Sequence, residues 1–225
     1  MIISLAVISI LLLLFSSFAM AVFSARDGRI LRRRTVRLLG LIFPLVIFPA
    51  GDIWAFRSSV FIPAIILGLL EIARLGPSRR WGGLERLISP IAKEGEETHV
   101  SGLSAYFWGA SLASLAPGGI GPAVMAMATI SDAWGAMAGS FPGGKRTAFG
   151  KSIHGTAACF ISALWMGLTF SALFPSPGVS TVQLTLTTAA IAAAERYTPG
   201  KFDNLTCPVA GAITMLLTQL SIAPV

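Results

Sequence analysis

Residues 1–23 read MIISLAVISILLLLFSSFAMAVF, and no charged side chain interrupts them. About 20 such residues suffice for a helix to cross the hydrocarbon core of a bilayer. The apolar stretch is longer than that of a secretory leader, and nothing basic precedes it, so it reads as a retained first span. Further charge-free runs cover 38–51, 58–70, 100–131, 155–194 and 205–225. Inside hydrocarbon every backbone N–H and C=O must be paired, which leaves helices or a closed barrel. Barrel strands alternate apolar and polar residues over roughly ten positions. These runs do not alternate, and the reading is an all-α, polytopic transmembrane protein forming a single integral membrane domain over 1–225.

Composition agrees. The chain is 54% hydrophobic and 12% charged, with a mean hydropathy of +0.77, whereas soluble domains carry about 25% charged residues. Cutting the longer runs at Pro117-Gly118-Gly119 and at Pro175-Ser176-Pro177-Gly178 yields about eight spans. They fall near 1–23, 36–50, 58–74, 101–116, 119–138, 155–174, 179–195 and 207–223. Cys159 and Cys207 lie in or beside apolar runs and form neither a disulfide framework nor a zinc pattern.

Charge then orients the spans. Of the 17 Lys and Arg residues, only Arg57 falls in a loop of the even set. The odd loops hold the rest, among them Arg33, Arg34, Arg80, Lys145, Arg146, Lys151 and Arg196. The excess of Lys and Arg in cytoplasmic loops puts these loops inside and both termini outside. The same rule accounts for the net charge of +7 without nucleic acid as a partner. Of the ten acidic residues, only Asp52 lies on the outer side. Polar chemistry is therefore confined to one face.

Three stretches on that face carry reactive side chains. Asp132 closes the fifth span amid Ala133, Gly135, Ala136, Ala138 and Gly139. A carboxylate at membrane depth is costly and usually faces a partner or a cavity, while the small residues also serve plain helix packing. The second stretch, Gly150-Lys151-Ser152-Ile153-His154-Gly155, resembles a P-loop but lacks its first glycine, since that position is Lys145. Gly144, Lys145, Arg146, Lys151 and Ser152 could hold phosphates by charge and backbone N–H groups. The competing explanation for the three cations is the cytoplasmic loop itself. The third stretch joins Glu195 to Asp203-Asn204. Asp132, Asp203 and Asn204 are hard oxygen ligands, adequate for Mg²⁺ shared with phosphates.

Taken in order, these elements resemble the CTP-dependent lipid-alcohol kinases, which comprise dolichol, phytol/farnesol and yeast-type diacylglycerol kinases and are related to phosphatidate cytidylyltransferases. The matching pattern is Asp132, Gly139, Gly144-Lys145 and Lys151-Ser152-Ile153-His154-Gly155, then Glu195 and Asp203-Asn204-Leu205-Thr206-Cys207-Pro208. Fainter likenesses are Arg33-Arg34-Thr35-Val36-Arg37, Glu71-Ile72-Ala73-Arg74, Arg80, Glu85 and Ser101-Gly102 with Tyr106-Phe107. The chain departs from the family pattern at His154, where a Glu is usual, and at Arg37, where a His is usual. The Pro-Gly-His-Gly-Gly signature of the cytidylyltransferases is absent from its C-terminal region.

The resemblance implies transfer of the CTP γ-phosphate to the hydroxyl of a polyprenol, another isoprenoid alcohol or diacylglycerol. Asp132 and Asp203 would hold Mg²⁺ with support from Asn204. Lys145, Arg146, Lys151, Ser152 and Gly144 would hold the nucleotide, and Glu195 or His154 would orient the hydroxyl. Membrane lipids surround such an enzyme, and a homodimer is an assembly it allows. The membrane would be a prokaryotic plasma membrane in the favoured case, or the endoplasmic reticulum of a eukaryote. A cytidylyltransferase-like enzyme making a CDP-lipid, and a non-catalytic or transport protein, are the competing readings.

Overall fold

A computed structural model of the chain describes residues 38–75, 99–141, 145–147, 149–174, 179–200 and 202–222. The expected first span, 1–23, lies outside the described residues, as do Arg33, Arg34, Arg37, Arg80, Glu85 and Gly144. Every regular element among the described residues is helical. A π-helical segment, Phe43–Ile47, runs into the single turn α1 (Phe48–Ala50). Pro44 and Pro49 explain this irregular start. Each lacks an N–H and crowds the carbonyl four residues back, and the Phe48 N–H bonds Phe43 O instead.

The longer helices are α2 (Ile53–Leu75), α3 (Gly102–Ser114), α4 (Ile120–Gly139), α5 (Ile153–Leu173), α6 (Thr181–Tyr197) and α7 (Asp203–Ile222). Side-chain oxygens set where several begin, because the first turn of a helix has N–H groups without intrahelical partners. Asp52 Oδ1 accepts from Trp54 N and Ala55 N, both at 2.8 Å. Ser101 and Ser152 cap α3 and α5. Ser180 and Gln183 form a reciprocal capping box on α6. The charge-free runs foretold the helices, but two starts differ, that of α2 because Asp52 caps it. Helix α2 begins at Ile53 rather than near 58, and α7 begins at Asp203 rather than near 207.

Helix α4 is the centre of the bundle. It packs most extensively on α5 and also touches α3, α6 and α7. Its residues are buried almost continuously from Ile120 to Ser131, as expected of a helix with no solvent face. Val124, Met127 and Ile130 meet Cys159 and Met166 of α5, Leu184 and Ile191 of α6, and Met215 of α7 in one core. Helix α2, by contrast, buries only Phe56, Val60, Ala64 and Glu71, and turns Ile62, Ile65, Ile66, Leu69 and Ile72 outward.

Two of the described helices, α2 and α5, are long and apolar enough to cross a membrane. Helices α3 and α6 have 13 and 17 residues. Helices α4 and α7 have 20 residues each, but much of their length is Ala, Gly, Ser and Thr, which lowers hydropathy while permitting close packing.

Two polar devices lock the bundle. The odd cation out, Arg57, sits in the second turn of α2. Its Nε donates to Ser114 O at 2.9 Å and its Nη2 to Leu115 O at 3.4 Å, capping the C-terminus of α3. Toward the other end of α2, the buried Glu71 carboxylate accepts from Arg74 Nε at 3.0 Å and from Ser101 N at 2.9 Å. Glu71 and Arg74 thus tie α2 to the first turn of α3.

Candidate functional site

The end of the bundle where α4 stops and α5 and α7 start gathers most of the reactive residues. Close helix contact makes this convergence geometrically feasible. A Cβ on Gly155 would lie 2.9 Å from Gly135 O and 3.3 Å from the Gly139 Cα, so α4 and α5 nearly touch there. At Gly109 a Cβ would lie 2.7 Å from Asn204 O and 2.8 Å from Pro208 Cγ, which lets α3 and α7 close up in the same way. Asn204 uses that contact, donating from Nδ2 to Gly102 O at 3.0 Å.

The loop between α4 and α5 folds back on itself. Thr147 N donates to Lys151 O at 2.8 Å and Gly150 N to Thr147 O at 2.9 Å. Gly150 closes the turn with φ +76°, a left-handed conformation that glycine adopts without strain. Arg146 braces the turn, donating to Gly150 O at 2.9 Å and to Gly139 O, at the end of α4, at 3.2 Å.

The turn delivers Lys151 between two carboxylates. Its Nζ donates to Glu195 Oε1 at 2.9 Å and to Asp203 Oδ2 at 2.6 Å. Burial by itself works against the ammonium. The nearby Asp203 charge and the hydrogen bonds to Asp203 and Glu195 outweigh it, holding Lys151 above the ordinary lysine range. Asp203 Oδ1 accepts from Asn204 N at 2.8 Å, and its place in the first turn of α7 puts negative charge at the positive end of the helix dipole. The second oxygen of Glu195, Oε2, is buried and has no hydrogen-bond partner among the described residues. An unsatisfied buried carboxylate oxygen is costly to maintain without a donor or cation to meet it.

Two cavities meet at this cluster. The polar one, of about 180 Å³, is lined by Asp132, Arg146, Lys151, Ser152, Glu195 and Asp203, together with the close-packed glycines. The other is narrow and mainly apolar, lying among Tyr106, Ala110, Met125, Ala128, Cys207 and Pro208. Asp132, Glu195 and Asp203 line both. The structure therefore brings together Asp132, Arg146, Lys151, Ser152, Glu195, Asp203 and Asn204 from the residues singled out by sequence. His154 and Lys145 are exposed and lie outside both cavities.

Tyr106 entered the sequence reading only as part of a faint likeness, and its hydroxyl partner in the apolar cavity, Thr129, was overlooked. Thr129 Oγ1 donates to Met125 O at 2.7 Å, so its 3.1 Å contact with Tyr106 has the tyrosine as donor. The available signal was Thr129 standing three residues before Asp132, on the same helical face.

The donor set bears on a metal. Among the described residues, no group of three or more His, Cys, Asp or Glu side chains converges closely enough to hold one alone. Magnesium, however, is usually held by one or two carboxylates plus phosphate oxygens and water. Asp132 and Asp203 both line the polar cavity, which would give such a shared cation two carboxylates. Comparison with protein-family models, curated proteins and solved structures finds no match to this chain.

Proposed function

We propose that this chain is an integral membrane phosphotransferase that moves the γ-phosphate of CTP to the hydroxyl of a membrane lipid alcohol at the inner face. The observation that carries the reading is the wall shared by the two cavities, where Asp132, Glu195 and Asp203 face polar space on one side and apolar space on the other. Phosphoryl transfer to a lipid needs that juxtaposition, with a charged donor and a hydrocarbon-bearing acceptor meeting at one point.

The chemistry asked of the protein is chiefly positioning and charge stabilisation. On the polar side, Lys151 and Arg146 supply positive charge to phosphate oxygens. Ser152 Oγ accepts from Gly155 N at 3.0 Å, which leaves its own proton available to donate. Asp132 and Asp203 would hold Mg²⁺, which supplies charge neutralisation to the phosphates when bound. Glu195 Oε2, lacking a donor, would receive the hydroxyl proton of the acceptor. Its buried position serves that role better than exposed His154.

The membrane setting is part of the proposal. Apolar α2 and α5, the outward isoleucines of α2, and the charge-free run at 1–23 support a membrane location. The reaction would take place on the cytoplasmic side of a prokaryotic plasma membrane, or on the corresponding face of the endoplasmic reticulum.

The test is purified protein with CTP labelled at the α- or the γ-phosphate, offered polyprenol, geranylgeraniol, phytol and diacylglycerol. The γ-label should enter lipid with release of CDP. Entry of the α-label with release of pyrophosphate would overturn the kinase reading in favour of a CDP-lipid product.

A further inference from the structure

We infer that a second site, on the outer side of the α5–α6 pair, binds an anionic glycerophospholipid of the inner leaflet. An open groove of about 700 Å³ runs between these helices, separate from the reaction cavity. Gly155 and Glu195 line the cavity, while their neighbours Thr156 and Arg196 line the groove, on another face of the same helices. The groove extends from Ile153, Thr156 and Tyr197 to Ile161 and Ala189. Eight helical residues rise about 12 Å, most of the roughly 15 Å depth of one leaflet's hydrocarbon.

Its chemistry is that of an acyl chain with a phosphate at one end. Alanines 157, 189, 192 and 193 keep the floor shallow and apolar. Among the described residues lining it, Arg196 carries the only charge and forms no ion pair. Arg196 is held at the polar end by Tyr197, whose ring centroid is 5.9 Å from the guanidinium carbon, and by a 3.4 Å contact from Nη1 to Thr156 Oγ1. A guanidinium has five N–H donors in a planar fork that matches phosphate oxygens, and this one leaves most of them for a ligand. A second copy of the chain is the poorer occupant. A two-fold contact through this groove would bring its own Arg196 into the interface, where a buried cation without a carboxylate is costly.

The inference rests on the membrane setting but not on the kinase chemistry. The test is lipid binding by the full chain in detergent, read by native mass spectrometry with phosphatidylglycerol and with phosphatidylcholine of the same acyl chains. The wild type should prefer phosphatidylglycerol by about fivefold, the scale of one basic residue at a charged membrane surface. Arg196→Gln should abolish the preference and Arg196→Lys should restore most of it. Ala193→Phe, at an exposed position, should weaken binding of both lipids by filling the groove. An unchanged preference in Arg196→Gln would overturn the site. So would a dimer that Ala193→Phe converts to monomers, which would assign the groove to a second copy. Recovery of the protein from cells in the soluble fraction without detergent would instead refute the membrane setting, and is scored separately.

Discussion

Lys151 and Asp203, 52 residues apart, are joined by a 2.6 Å bond from Nζ to Oδ2, and the same ammonium also holds Glu195. The pair links the loop before α5 to the first turn of α7, and Glu195 adds the last turn of α6. One side chain therefore fastens three helix ends while lining the polar cavity.

Lys151→Met leaves two largely buried carboxylates facing each other without a cation. Breaking such a pair by removing one partner costs about 3 kcal/mol or more. A thermal melt of the purified variant should show a clearly lowered Tm, and γ-phosphate transfer should fall to background. Wild-type stability in this variant would mean that the ion pairs do not hold the helix ends.

The pH dependence of that stabilisation follows from the direction of the shift. Lys151 is raised, so its contribution is fully present below the ordinary lysine value of about 10.4 and is lost as pH rises through the elevated folded value. The difference in Tm between wild type and Lys151→Met should therefore change little between about pH 6 and 9 on account of Lys151, and shrink only above about pH 10.4. Lys151-dependent shrinkage near neutral pH would contradict a raised ammonium.

Asp132→Asn keeps the size of a side chain shared by both cavities and removes its charge. Transfer should drop by about 10²-fold or more, the scale seen when one preorganised electrostatic group is lost. Undiminished turnover in folded protein would exclude Asp132 from the reaction centre.

Gly155→Ala inserts a methyl 2.9 Å from Gly135 O, where α4 and α5 pack closely. Backbone must move to admit it, costing about 1–3 kcal/mol as overpacking does and widening the polar cavity. Gly118→Ala introduces no contact within 4 Å and acts only through its φ of +58°, a penalty of roughly 1 kcal/mol. Its activity should stay near wild type. Equal activity losses in the two variants would argue that helix proximity at Gly155 is irrelevant to the site.

Arg57→Ala removes the donors that satisfy Ser114 O and Leu115 O at the C-terminus of α3. Hydrogen bonds from a charged group contribute about 1.5–3 kcal/mol. The Tm should fall accordingly, without any change in transfer activity, because Arg57 lines neither cavity of the site.

Long charge-free runs pointed by themselves to helices, the form every regular element takes among the described residues, because the pairing of backbone groups within a segment is a local requirement. Glycine and proline clusters likewise marked the breaks near Gly118 and before Val179; Asp132 stood out as a costly charge beside apolar sequence, and Lys151, Glu195 and Asp203 stood out by the phosphate- and metal-type pattern they share with it. A cap shifted the start of α2, since the reach of Asp52 depends on side-chain geometry that hydropathy does not record. Arg57 looked like a misplaced loop cation, and only its contact with α3, 57 residues on, made it a helix cap. The tertiary structure alone decided that Lys151 lies between Glu195 and Asp203, that His154 stands apart from them, and that Tyr106 and Thr129 border the same centre. These are relationships among side chains 44, 52 and 23 residues apart. They are created when glycines let helices approach, and no local pattern in the sequence encodes that distance.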